Sequence, residues 1–328
     1  MGENEDEEEE YEGRGTRRRG VITTNARVTV SIDDLVELKA EARGFSFLPR
    51  QPVHSLLSGR HASRLRGRGL SFEELRHYQT GDDVRLIDWR ATARRGSAQV
   101  RVYNEERERP VLLVVDQRFP MFFGSRRAMK SVVAAELAAL AAWRTLDAGD
   151  RIGGLVFNEE EIVEIRPHRS QGRAMRLLQE TFRLNQRLAS DSPATGKVGL
   201  NDSLRAADRL AQHDYLVVLI SDLDGVNDET RRIATELAAH NDVLIVLVYD
   251  PLGASLQGLP GMRASDRGKE WEIPTGEGFS AAFRNVFAEK LDKWREIFRA
   301  LKVPLLPIST AEPAAYQIRS LFGGAQKR

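Results

Sequence analysis

Two aspartates end two uninterrupted apolar runs. Val111-Leu112-Leu113-Val114-Val115 leads into Asp116, and Leu216-Val217-Val218-Leu219-Ile220 leads into Ser221-Asp222. Carboxylates brought side by side at neighbouring strand ends repel each other unless a cation lies between them. The chemistry open to such a pair is therefore to hold a cation, supplied by a metal or by a side chain. Acid–base catalysis fits less well, because no acid pair has a neighbouring His or Lys placed to share its proton. Arg118 stands two residues beyond Asp116. The expectation is that its guanidinium bridges Asp116 and Asp222 by charge-assisted hydrogen bonds. The alternative leaves Arg118 in solvent, with the aspartates capping local backbone.

The elements that must position these residues follow from hydrophobic patterning. Continuous rather than alternating apolar runs mark strands covered on both faces. A third run, Val243 to Val248, ends in Tyr249-Asp250. Helices are expected over 126–147, 173–188, 202–212 and 228–240, with strands at 152–157 and 162–165 forming a hairpin around Asn158-Glu159-Glu160. A strand near Trp271, a helix over 280–300, a strand over 303–308 and a helix over 313–322 complete the series. Strands alternating with helices give an α/β fold: a doubly wound, mostly parallel sheet with helices on both faces. Ligands of such sheets sit at the carboxyl ends of the strands, near a topological switch point.

The chain before residue 111 is different. Ser31-Ile32-Asp33-Asp34 is a helix start, with Leu35, Leu38 and Ala42 on one face and Gly44 as the stop. Residues 45–70 read as irregular. Phe72, Leu75 and Tyr78 suggest a helical turn, Val84 to Trp89 a strand, and Ala98, Val100 and Val102 a half-buried strand. The expected organisation is a disordered charged tail at 1–24, a small α+β region at 25–110, the doubly wound domain at 111–322 and a tail at 323–328.

Composition removes several function classes. The 328 residues include no cysteine, which excludes disulfides, thiol nucleophiles and zinc–cysteine sites. No 18-residue uncharged apolar stretch exists, so no membrane span is expected. The acidic N-terminus is unlike a signal peptide, and the expectation is a soluble cytoplasmic protein. P-loop, GxGxxG-after-strand, HExxH and GxSxG motifs are all missing. The 49 basic and 48 acidic residues nearly cancel, yet they are segregated. Residues 1–12 carry eight acids and no base, while 43–109 carry 14 arginines against 8 acids. That arginine excess makes nucleic-acid binding a third reading. It is weakened because 41 of the 49 basic residues are arginine throughout the chain.

One long stretch carries a signature: Gly67-Arg68-Gly69-Leu70-Ser71-Phe72-Glu73-Glu74-Leu75-Arg76-His77-Tyr78-Gln79-Thr80-Gly81-Asp82-Asp83-Val84-Arg85-Leu86-Ile87-Asp88-Trp89-Arg90-Ala91-Thr92-Ala93-Arg94. A second runs from Glu105-Pro110 through Asp116 to Phe123-Gly124-Ser125 and Lys130. Together they resemble the bacterial "domain of unknown function 58" family. The resemblance covers about residues 25–322. It implies a von Willebrand factor A-like fold with sheet order 3-2-1-4-5-6. It also implies an adaptor or co-chaperone role beside a MoxR-type AAA+ ATPase, with other von Willebrand A-like proteins as further candidate partners. Membrane and nucleic-acid partners are not implied.

The same resemblance brings a metal-ion-dependent adhesion site, built from an Asp-x-Ser-x-Ser loop, a threonine and a further aspartate. This sequence departs from it. Asp116 is kept, but Arg118 and Pro120 stand where the serines belong, Val198 stands at the threonine position, and Asp222 follows Ser221 at the third loop. Mg²⁺ requires near-octahedral oxygen donors, so no cofactor is expected, and any metal would rest on Asp116 and Asp222. Within the signature, Arg76, Tyr78, Gly81, Asp82, Asp83, Arg85, Asp88, Trp89 and Arg94 are either an ion-pair network around a core tryptophan or a docking face. The leading reading is a non-enzymatic protein-interaction module. The runner-up is a metal-dependent binding protein or hydrolase.

Overall fold

The computed structural model describes residues 27–43, 70–79, 82–105, 109–192, 195–252, most of 263–274, scattered residues between 278 and 301, and 303–322. The expected tails at 1–24 and 323–328, the irregular stretch at 45–69 and Gly81 lie outside them.

The three apolar runs become strands β3 (Val111–Asp116), β6 (Leu216–Ser221) and β7 (Asp242–Tyr249). Every residue of β3 and β6 is buried, as continuous apolar runs require. With β4 (Ile152–Phe157), β5 (Ile162–His168) and β10 (Leu305–Ser309) they form a six-stranded sheet in the order β10-β7-β6-β3-β4-β5. Counting only these six strands along the chain, the order is 3-2-1-4-5-6, as the resemblance implies. All neighbours are parallel except β4 and β5. The order reverses between β3 and β6, which places Asp116 and Ser221-Asp222 at the switch point. At the β4–β5 bulge the backbones approach so closely that a Cβ on Gly153 would lie 2.5 Å from the Ile165 carbonyl oxygen.

Helices cover both faces. One core gathers α3 (Lys130–Asp147), α4 (Gln171–Asn185) and α7 (Ala314–Phe322) against Leu113, Val115, Val218 and Val246. Helix α3 is buried nearly all round, the expected state of a helix without a polar face. The other core joins α5 (Leu200–Leu210), α6 (Asp228–His240), Trp294 and Phe298 to Leu112, Val114 and Leu219. The short strands β8 (Arg263–Asp266) and β9 (Lys269–Glu272) pair with each other.

The region before residue 111 divides in its packing. Helix α1 (Ile32–Glu41) starts at a Ser31–Asp34 capping box and packs on α3 and α4, outside the large sheet. The Trp143 indole donates to the Leu35 carbonyl at 2.9 Å, and Leu35 belongs to the first core. The rest is a hairpin of β1 (Leu70–His77) and β2 (Gln99–Glu105). The helical turn expected at Phe72–Tyr78 is therefore mostly strand, because β2 supplies a full antiparallel partner. The strand expected over Val84–Trp89 is instead a 3₁₀ turn at Val84–Leu86 followed by α2 (Trp89–Arg95). The reason is local. The Asp88 carboxylate accepts from the Arg90 and Ala91 N–H groups at 3.0 and 2.9 Å, a side-chain N-cap that nucleates a helix. Gly96, in the left-handed region at φ 70°, ends it.

Candidate functional site at the strand ends

Asp116 is fully buried at the end of β3. Its two oxygens meet the Arg118 guanidinium as a fork: Nε to Oδ1 at 3.0 Å and Nη2 to Oδ2 at 2.6 Å. The Arg118 backbone N–H adds a third bond to Oδ1 at 3.0 Å. Ser221 Oγ donates to Asp116 Oδ2 at 2.7 Å and accepts from the Leu223 N–H at 3.0 Å. Arg118 is only 6% exposed, and Nη2 also donates to the Asp224 carbonyl at 3.1 Å. Burial opposes its charge, but the carboxylate of Asp116 outweighs it and raises the guanidinium above its ordinary value.

The expected Arg118 bridge to Asp222 does not form. Asp222 takes its cation from helix α3: Lys130 Nζ donates to Oδ2 at 2.5 Å. The Asp224 N–H donates to Oδ1 at 3.0 Å. Burial pushes the Asp222 carboxyl up, but Lys130, the Asp224 N–H and the nearby Arg118 charge together hold it below the usual carboxylate range. Lys130 is the first residue of α3 and reaches Asp222 across 92 positions of sequence. Each aspartate has its own side-chain cation.

The remaining positions supply no metal ligands. Pro120 lies in a 3₁₀ turn at Phe119–Met121. Val198 packs against the second core. A Mg²⁺ site of the kind the resemblance implies needs free carboxylate and hydroxyl oxygens. Here guanidinium and ammonium groups already hold the carboxylates, and the Ser221 hydroxyl is engaged on both sides. The donor set does not fit Mg²⁺. Among the described residues, no group of three or more His, Asp or Glu side chains is placed to hold a metal ion.

Two further polar clusters flank these aspartates. Asp250, at the end of β7, accepts from the Ser125 N–H (2.8 Å), Ser125 Oγ (2.5 Å), Thr310 Oγ1 (2.5 Å) and the Leu252 N–H (2.8 Å). It ties the loop before α3 to the end of β10. Gln117, fully buried, donates to the Ser131 carbonyl and accepts from Asn185 Nδ2, both at 3.0 Å. Asn185 Oδ1 in turn accepts from the Val30 N–H at 3.0 Å. The loop after β3 is thereby fastened to α3, α4 and the start of α1. A cleft of about 220 Å³ opens beside it, lined by Gln117, Phe119, Asn158, Glu159 and Leu184 among others. Its carboxylate at Glu159 is paired with Arg267 at 2.7 Å, and Arg267 stacks over Phe119 at 4.4 Å.

The signature residues sit elsewhere, on the hairpin and α2. Arg76 and Asp82 form a bidentate pair, both bonds 2.7 Å. That pair, with the Gln79 N–H, lowers the Asp82 carboxyl. Asp83 caps the Arg85 N–H at 2.9 Å, and Asp88 caps α2. Tyr78 donates its N–H to the Ala98 carbonyl, and Arg94 Nε donates to the Arg90 carbonyl at 3.4 Å. The core role expected for Trp89 is corrected. Its side chain is 69% exposed, because Ala91, two residues on, is the residue α2 buries.

A family model described as "Protein of unknown function DUF58" matches residues 74–297. The "Uncharacterized protein Mb1516" of Mycobacterium bovis and "Uncharacterized protein Rv1480" of Mycobacterium tuberculosis are each 30% identical to this chain over 283 residues, covering 85% of it and 86% of the relative. Among solved structures, BatB from Bacteroides thetaiotaomicron is similar with a TM-score of 0.39 and 14% identity, over 65% of this chain and 98% of that one. The SpRpn10 VWA domain is similar with a TM-score of 0.37 and 8% identity, over 67% and 100%. Among the described residues, no helix is long and apolar enough to cross a membrane.

Proposed function

The chain belongs to the family described as Protein of unknown function DUF58, and from that premise we propose that it is a non-enzymatic protein-interaction module, an adaptor or co-chaperone of a MoxR-type AAA+ ATPase. The observation that carries the reading is Trp89. A tryptophan 69% exposed beside the exposed Val84 and Leu86 does nothing for the core. Tryptophan with neighbouring arginine is the composition of an interface hot spot. The strand-end carboxylates support the non-enzymatic side of the reading. Asp116 and Asp222 are held by Arg118 and Lys130, so neither is free as a base or a metal ligand.

The test is co-purification of the tagged full chain from its own organism, with and without ATP, scored for a MoxR-type ATPase. Recovery of that ATPase by the wild type and its loss with Trp89→Ala are the expected results. If the ATPase is not retained, or is retained equally by both proteins, the reading is wrong.

A further inference from the structure

The 3₁₀ turn at Val84–Leu86 and helix α2 present an unusual mixture to solvent. Arg85, Arg90, Arg94 and Arg95 are all exposed, and so are Val84, Leu86 and Trp89 among them. None of the four guanidiniums has a carboxylate partner among the described residues. Arg94 donates to the Arg90 carbonyl and Arg95 to the Gln99 amide oxygen. The acids nearby are otherwise engaged: Asp82 holds Arg76 through two bonds, while Asp83 and Asp88 cap backbone N–H groups.

These side chains do not serve the fold. Arg90 and Arg94 stand four residues apart on α2, a like-charge spacing that destabilises a helix. Val84, Leu86 and Trp89 leave apolar surface in water, where burial would be favourable. The arginine-rich composition of the chain does not explain the cluster either, because surface arginines elsewhere meet acids. Arg183 and Arg187 pair with Glu161, Arg205 with Asp202 and Glu229, and Arg232 with Glu236. Apolar side chains exposed together mark a surface that another molecule covers.

We propose that the Val84–Arg95 surface binds an acidic segment of a partner protein, with carboxylates for the arginines and an apolar side chain for Trp89. Charge complementarity selects the acid, since a guanidinium fork meets a carboxylate with two charge-assisted hydrogen bonds. A nucleic-acid strand fits less well. Its bases stack on successive aromatic side chains, whereas this surface offers one indole beside two aliphatic groups. A continuous phosphate backbone would also have to pass the carboxylates of Asp83 and Asp88. The proposal rests on the reading of Trp89 as a docking residue and adds the chemistry of what docks there.

The probe is a fluorescein-labelled synthetic peptide of about twelve residues, glutamates with leucines at helical spacing, titrated with the full chain and followed by fluorescence anisotropy. The same peptide with lysine in place of glutamate is the control. The wild type should bind the acidic peptide saturably and the basic one not at all. Arg85→Gln, Arg90→Gln and Arg94→Gln together should weaken binding about tenfold or more, and Trp89→Ala about fivefold or more. Both variants alter exposed side chains, so their melting temperatures should match that of the wild type. In 1 M NaCl, where the screening length drops to about 3 Å, the wild type should approach the triple variant. Absence of saturable binding, or binding that both variants leave unchanged, overturns the proposal. Tighter binding of a labelled oligothymidylate than of the peptide, with the same loss in both variants, makes the surface a nucleic-acid stacking site and overturns it too. The peptide tests what chemistry docks and co-purification tests which partner carries it, so either reading can fail while the other stands.

Discussion

Arg118 grips the carboxylate of Asp116, two residues before it in the chain, through a two-bonded fork at 3.0 and 2.6 Å. Both groups are buried. Removing one member of a buried pair leaves the other charge uncompensated, at a cost of about 3–5 kcal/mol. Arg118→Ala should therefore destabilise the protein by that order in urea unfolding. Arg118→Lys should recover only part, because an ammonium cannot reproduce the fork. An alanine variant as stable as the wild type would remove Arg118 from the account.

Lys130 and Asp222 give a prediction in pH. The folded Asp222 carboxyl is held below its ordinary range, first against its own burial and then by Lys130. A depressed carboxyl contributes stability that is complete above the unfolded value of ~3.9 and is lost as pH falls through the folded value. Lys130→Met removes the main cause and leaves the burial. The variant should lose stability at pH 7 and lose less of what remains between pH 5 and 3 than the wild type does. Urea midpoints across that range measure it. Parallel curves for the two proteins would show that the pair does not act as described.

Trp89→Ala should change stability by no more than about 0.5 kcal/mol, as surface substitutions usually do. Loss of a buried tryptophan costs roughly 3–5 kcal/mol. A drop of that size in chemical denaturation would return Trp89 to the core.

Asp250→Asn should be costly although it keeps the shape. The carboxylate accepts from two N–H and two O–H groups, whereas an amide presents NH₂ to some of those donors. Unsatisfied buried donors cost about 1–3 kcal/mol. Faster hydrogen exchange at Ser309–Thr310, beyond what the fall in global stability explains, is the expected signature. Exchange unchanged there would mean that β10 is anchored in another way.

What was legible in the sequence was local. Strands β3, β6 and β7 are continuous apolar runs, each followed by an acid, and the order reversal between β3 and β6 puts Asp116 and Asp222 at the switch point. Asp250 carries that same mark after the third run, and three of its four hydrogen-bond donors come from remote segments that no spacing reveals. The Asp88 cap is readable in the sequence as an aspartate ahead of an alanine-containing stretch. The partners of the aspartates were not legible. Lys130 meets Asp222 and Asn185 meets Gln117 only after the sheet has closed, and no periodicity encodes such pairings. The exposure of Trp89 was hidden for a related reason: a tryptophan in an apolar-looking stretch reads as core until the helix shows which face it buries.

The central claim is that the strand-end site carries its cations within the chain. Calorimetric titration of the full-length wild-type protein with MgCl₂ tests it most directly. The account predicts only heats of dilution up to millimolar Mg²⁺ and an unchanged melting temperature. Saturable one-to-one Mg²⁺ binding at micromolar concentration, abolished by Asp116→Asn or Asp222→Asn, would contradict it.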